Sequence, residues 1–172
     1  PMVPNASQSN YDGDDLGDAC DQDDDNDGVM DADDRCQQGT REWLSTSQND
    51  HDGDGCKDAV EDADDDNDSV YDFADLCSTG TLGWTSSEQT DYDGDGCSDA
   101  DEDVDDDNDG ICDGTQLDDR LACTVSSVEV DLCPTSSLSF TSSNSNDADR
   151  DGCEDTNEDT DDDNDGFLDS CL

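Results

Sequence analysis

The sequence predicts a mostly irregular protein with little regular secondary structure: an elongated tandem-repeat array held by cross-links instead of an apolar core. Three observations predict it. Hydrophobic residues make up 28% of the 172 residues, ten cysteines included, and aromatics 5%. Ordering a chain costs roughly 1–2 kcal/mol per residue in backbone entropy, which so little apolar surface does not offset. Second, 54 acidic residues face only Arg35, Arg41, Lys57, Arg120 and Arg150, for a formal charge of −49. Such a chain repels itself unless counterions join it. Third, the acids are spaced rather than smeared, which argues against a disordered acidic tail. The run D-x-D-x-D-[G/S]-x-x-D-x-x-[D/E] occurs five times, and three close variants bring the total to eight.

That spacing suits a hard cation. Ca²⁺ takes six to eight oxygens at about 2.3–2.6 Å, and carboxylates at loop positions 1, 3 and 5 converge on one point. A small residue at position 6 permits the turn, position 7 offers its backbone carbonyl, and positions 9 and 12 close the shell. Four loops form a first type. They comprise Asn10, Asp12, Asp14, Asp18 and Asp21, with Asp15 at the turn; Asp50, Asp52, Asp54, Asp58 and Glu61; Asp91, Asp93, Asp95, Asp99 and Glu102; and Asp147, Asp149, Asp151, Asp155 and Glu158. Each is followed by a loop of a second type: Asp23, Asp25, Asp27, Asp31 and Asp34; Asp64, Asp66, Asp68, Asp72 and Asp75; Asp105, Asp107, Asp109 and Asp113; and Asp161, Asp163, Asp165 and Asp169. The last two lack an acid at position 12, where Gln116 and Leu172 stand. Asp131, Asp118 or Asp119 is expected to fold back and complete the Asp105 loop. The backbone ligands at position 7 are Leu16, Val29, Cys56, Val70, Cys97, Ile111, Cys153 and Phe167. About eight Ca²⁺ sites follow. The residues between loops show no 3.6-residue apolar period, so the loops do not hang on helices.

The second-type loops begin at Asp23, Asp64 and Asp105, a 41-residue period, and again at Asp161 after an insertion. This divides the chain into a tail (1–9), repeat 1 (10–36), repeat 2 (37–77), repeat 3 (78–133, with an insertion at 114–130) and repeat 4 (134–172). Arrays of this kind bury little alone and are stabilised through neighbours.

Ten cysteines allow many pairings. Spacing favours Cys36 with Cys56, Cys77 with Cys97 and Cys133 with Cys153, each 20 residues apart, and Cys112 with Cys123. Cys20 and Cys171 remain. Trp43, Trp84 and Phe140 each follow the first cysteine of a pair by seven residues and are expected to cover the disulfide. His51, the single histidine, is read as a solvated side chain within a loop. A disulfide framework indicates an oxidising compartment, so the chain is expected to be secreted, extracellular or at the cell surface. Nucleic acid and anionic membranes are poor partners at this charge, and no apolar run approaches the ~20 residues of a membrane span. No nucleophile elbow, H-E-x-x-H or phosphate loop is present, and a non-enzymatic protein is expected.

Residues 10–36, NYDGDDLGDACDQDDDNDGVMDADDRC, resemble the thrombospondin type 3 repeat family, whose pattern is D-x-D-x-D-G-x-G-D-x-C-D-x-D-x-D-x-D-G-x-x-D-x-x-D-x-C. The resemblance extends to most of the chain outside 1–9 and 114–130. It implies repeats wrapped around calcium with little regular structure, and disulfides between neighbouring repeats. The family's cysteine at Cys20 occupies loop position 11, whereas Cys56, Cys97 and Cys153 stand at position 7. This variant looks like arrays in microbial surface and secreted proteins.

The expected function is calcium-dependent and structural: a rod-like array serving as a stalk, spacer or surface-fibre subunit. A calcium-dependent adhesion module for a protein or glycan is the alternative. Cys171 and Cys20 of successive copies would lie 21 residues apart, which suggests a head-to-tail homopolymer. Attached glycans are expected at Asn5 and along the linkers TSSEQT and TSSLSFTSSNSN. Asn67 also begins a sequon, inside a loop where a glycan would clash.

Overall fold

The computed structural model describes residues 6–114, 123 and 130–169. Asn5, Gln116, Asp118, Asp119, Cys171 and Leu172 lie outside the described residues, and with them the expectations placed on those positions. The described residues contain neither helix nor strand, only turns, bends and irregular chain. Two compact units divide the protein, Pro1–Trp84 and Thr85–Leu172.

Backbone order comes from the loops themselves. In all eight, the N–H of position 9 donates to the carbonyl just before position 1, as Asp31 does to Gln22 (2.8 Å) and Asp99 to Thr90 (3.1 Å). This bond closes each loop into a ring. Two left-handed residues make the ring possible. Position 6 has φ near +90° at Gly28, Gly55, Ser69, Gly96, Gly110, Gly152 and Gly166. Position 4 also has positive φ, at Gly13, Asn26, Gly53, Asn67, Gly94, Asn108, Arg150 and Asn164. Glycine and asparagine are the residues that enter this region at least cost, and they hold position 4 in every loop but the one with Arg150. Asp15 is the position-6 exception. There the Asn10 side chain accepts from the Gly13 N–H at 2.6 Å and donates to the Asp14 carbonyl at 2.9 Å.

Linker serines fasten three of the four first-type loops to their lead-ins. Ser86 and Ser142 hydroxyls donate to Asp91 and Asp147 at 2.5 Å, and Ser45 does the same to Asp50. Disulfides join Cys36 to Cys56, Cys112 to Cys123 and Cys133 to Cys153, with Cα separations of 5.1, 5.4 and 5.2 Å. Cys77 and Cys97 are disulfide-bonded as well.

The interior is made of carboxylates. In the first unit, Asp25, Asp27, Asp50, Asp66 and Asp68 are 0–2% exposed, and among its described residues Cys56 is the buried apolar one. The second unit buries Asp91, Asp107, Asp109 and Asp147 beside Cys97, Ile111, Cys112, Phe140 and Cys153. Of the aromatics expected over disulfides, Phe140 is buried, but Trp43 and Trp84 are only half-buried. The Lys57 ammonium stands 5.5 Å above the Trp43 ring.

Candidate metal centre

The eight loops share one hydrogen-bond scheme. The position-2 N–H donates to the position-9 carboxylate at 2.5–3.0 Å, as from Tyr11 to Asp18 and from Ala148 to Asp155. The position-7 N–H donates to the position-5 carboxylate in every loop, at 2.5–3.0 Å. In seven loops the position-6 N–H donates to the position-1 carboxylate at 2.9–3.3 Å. The backbone thus turns each acid inward and occupies one of its oxygens. Carboxylate oxygens of Asp23, Asp25 and Asp27 lie within 4.8 Å of one another, as do those of Asp50, Asp52 and Asp54, of Asp64, Asp66 and Asp68, and of Asp91, Asp93 and Asp95.

Other oxygens of these acids are left over. Asp23 Oδ1, Asp27 Oδ2 and Asp34 Oδ2 are buried without a hydrogen-bond partner, and so are Asp64 Oδ1 and Asp75 Oδ2. Asp95 Oδ2, Asp109 Oδ2, Asp113 Oδ1 and Asp161 Oδ1 share that state. Burying a charged oxygen unpaired costs several kcal/mol, and only five basic side chains exist to answer 54 acids. Hard anionic oxygens converging in small rings, short of protein donors, fit a hard divalent cation.

Position 12 of the second-type loops is built alike in three repeats. Asp34, Asp75 and Asp131 donate their N–H to the carbonyls of Met30, Tyr71 and Cys112, at 2.9, 3.1 and 3.0 Å. Each then accepts the N–H of the second residue after it (Cys36, Cys77 and Cys133) at 2.6 Å. Asp131 therefore takes the slot that Asp34 and Asp75 take, despite the insertion. Its Oδ2 is buried and unpartnered. Burial first, and then the Asp109, Asp107 and Asp113 carboxylates, push its pKa up to about 8. The same causes raise Asp34 and Asp75 to about 7, and Asp27 and Asp109 to about 6.

In the first-type loops, counting forward from position 1 selects Glu61, Glu102 and Glu158. The structure sets a neighbouring acid where Asp21 stands in repeat 1. Asp21 Oδ1 accepts the N–H of Asp23 at 3.3 Å; Asp62, Asp103 and Asp159 accept from Asp64, Asp105 and Asp161 at 3.1, 3.0 and 2.9 Å. Asp21 falls within 4.8 Å of Asp12 and Asp14. Asp62 is among the charges that raise Asp52, and Asp103 among those that raise Asp93, both to about 7 chiefly through burial. Asp62, Asp103 and Asp159 each keep a buried, unpartnered Oδ2. Glu61 Oε2 is buried and unpartnered as well, and the Glu61 carboxylate approaches Gly39, 3.0 and 3.1 Å from where a Cβ would stand, and adds its charge to Asp25. Glu158 accepts from the Glu154 N–H at 3.4 Å, inside its own turn. The reason is one extra residue. Asp58 to Asp64 spans six positions, whereas Asp18 to Asp23 spans five. Counting backward from the D-D-D-N-D run would have found these aspartates.

Two further links tie loop to loop. The position-4 asparagines donate across to the preceding loop: Asn26 to Asp12, Asn67 to Asp52, Asn108 to Asp93 and Asn164 to Asp149. Between the loops, the carboxylates of Asp58, Asp62 and Asp72 surround Asp65, whose pKa rises to about 7, mainly through burial. Rings at position 2 reach the next linker. Tyr11 Oη donates to the Gly39 carbonyl and Tyr92 Oη to that of Ser136, both at 2.9 Å. His51 Nε2 lies 2.8 Å from the Gly80 carbonyl, so it replaces a tyrosine in a structural contact and is not a solvated side chain.

No family model matches the chain. Short stretches are similar to thrombospondins. One of 37 residues is 60% identical to thrombospondin-2 of Mus musculus, covering 22% of this chain and 3% of that protein. Another of 31 residues is 61% identical to thrombospondin-1 of Xenopus laevis, covering 18% of this chain, and a third matches thrombospondin-2 of Bos taurus over the same length and identity. The chain spans 3% of the length of each of these relatives. Irregular backbone, disulfides and clustered acids are consistent with a disulfide-linked, calcium-binding, thrombospondin-like repeat array.

Proposed function

We propose that this chain is an extracellular structural module, folded around calcium, that serves as a stalk, spacer or fibre subunit. The observation that carries this is the set of buried, unpartnered carboxylate oxygens recurring at equivalent loop positions. In the first-type loops the ligands would be the acids at positions 1, 3 and 5 with Asp21, Asp62, Asp103 or Asp159. In the second-type loops they would be the acids at 1, 3 and 5 with Asp34, Asp75 or Asp131. Backbone carbonyls at position 7 would complete both sets. The carboxylates around Asp65 add capacity between loops, so at least eight ions are expected per chain. Disulfides and the likeness to thrombospondins support an extracellular place. Among the described residues no helix is long and apolar enough to cross a membrane.

Equilibrium dialysis against calcium at neutral pH tests the reading. Eight or more ions per chain are expected, at free calcium of about 10⁻⁴–10⁻³ M, the range of extracellular modules. Binding of only one or two ions at millimolar calcium would rule it out.

A further inference from the structure

We propose that Arg35 lowers the calcium affinity of the loop that begins at Asp50, so that this loop fills at higher calcium than it would without that guanidinium. The inference rests on reading the loops as calcium sites. It comes from two junctions whose backbones match but whose charges differ: Arg35 faces the Asp50 loop where Leu132 faces the Asp147 loop, while within the loops Lys57 and Glu154 correspond, as do Gly53 and Arg150.

Each junction brings the last acid of a second-type loop against the turn of the next first-type loop. A Cβ on Gly55 would stand 2.2 Å from Asp34 Oδ1, and one on Gly152 would stand 2.1 Å from Asp131 Oδ1. The following residue then donates its N–H to the position-5 carbonyl, Arg35 to Asp54 at 2.8 Å and Leu132 to Asp151 at 2.7 Å. A disulfide closes each junction, Cys36 to Cys56 and Cys133 to Cys153. The backbones match. The side chains at 35 and 132 do not.

Asp54 Oδ1 accepts the Cys56 N–H at 3.0 Å, which leaves Oδ2 as the oxygen for an ion. The Arg35 guanidinium sits 3.2 Å from that Oδ2. It also donates to Asn67 Oδ1, on the side chain that bridges to Asp52. Leu132 has no charge to offer and is 65% exposed. At the Asp147 loop, Asp151 Oδ2 has the neutral Asn164 amide at 3.4 Å. A calcium ion entering the Asp50 loop must therefore displace a guanidinium from a ligand oxygen, or share the carboxylate with a like charge. The arginine side chain is 64% exposed, so water and salt weaken the effect. A change of about three- to tenfold in calcium midpoint is expected at low salt.

The test follows the amide signals of Gly55 and Gly152 in the full chain by two-dimensional NMR during calcium titration. Arg35→Leu is expected to lower the Gly55 midpoint about three- to tenfold at 20 mM salt and by less at 500 mM. Arg35→Lys should keep most of the wild-type Gly55 midpoint, and Leu132→Arg should raise that of Gly152. A merely structural arginine would not produce the salt dependence or the gain at Gly152. If Arg35→Leu does not fold, Leu132→Arg decides the matter by itself. A Gly55 midpoint that Arg35→Leu leaves unchanged, or a Gly152 midpoint that Leu132→Arg leaves unchanged, overturns the proposal. If neither amide responds to calcium, the reading beneath it falls too.

Discussion

At Asp131 the chain resumes a hydrogen-bond pattern that the insertion interrupts after Asp113. Its N–H bonds the Cys112 carbonyl, as Asp34 bonds Met30, and its carboxylate joins those of Asp107 and Asp109. Asp131→Asn should weaken calcium at the Asp105 loop by about tenfold or more, since position 12 closes the shell. The Gly110 amide signal in a calcium titration reads this, and an unchanged midpoint would count against it. Gly152 offers a steric test. It has φ +83° with Asp131 2.1 Å from its missing Cβ, whereas Gly53 has φ +76° with nothing within 4 Å. Gly53→Ala should cost only the left-handed penalty of about 1–2 kcal/mol. Gly152→Ala adds a clash with a buried acid and should cost clearly more. Urea unfolding in calcium measures both, and equal costs would contradict the junction geometry.

At the scale of one loop, burial and neighbouring carboxylates together set the proton balance. Folded-state pKa values raised to about 6–8 at Asp27, Asp34, Asp75 and Asp131 exceed the unfolded value near 3.9. Without ions, these groups favour the fold below about pH 4, and that contribution is lost as pH rises to about 8. Calcium needs the ionised form and reverses the trend. Chelated protein should thus be more ordered at pH 4 than at pH 8 by circular dichroism, while calcium affinity should fall as pH drops from 8 to 5. Greater order at pH 8 in chelator would refute the burial argument. The loop itself was legible in the sequence, because carboxylate spacing is the coordination geometry. The cysteine pairs at 36–56, 112–123 and 133–153 were legible from their periods. Position 4 was missed, because its Gly and Asn act through φ and not through ligation. That Asp62, Asp103 and Asp159 stand where Asp21 stands was not legible, because one inserted residue shifts the forward count onto Glu61, Glu102 and Glu158. His51 was misread, because its partner carbonyl at Gly80 is 29 residues away.

For the whole molecule, the deciding quantity is charge. A chain of formal charge −49 with its acids in the interior has no low-energy compact state at neutral pH unless cations enter. Each bound ion adds stability that grows with free calcium relative to its Kd, and the terms of many sites sum. Disulfides limit the expansion but do not cancel the repulsion, because each spans only a short loop. Small-angle X-ray scattering at pH 7.5, first in millimolar calcium and then in excess chelator, tests this most directly. The account predicts a radius of gyration that rises on chelation toward the ~44 Å of an unfolded chain of this length and returns when calcium is restored. Identical scattering curves with and without calcium would contradict it.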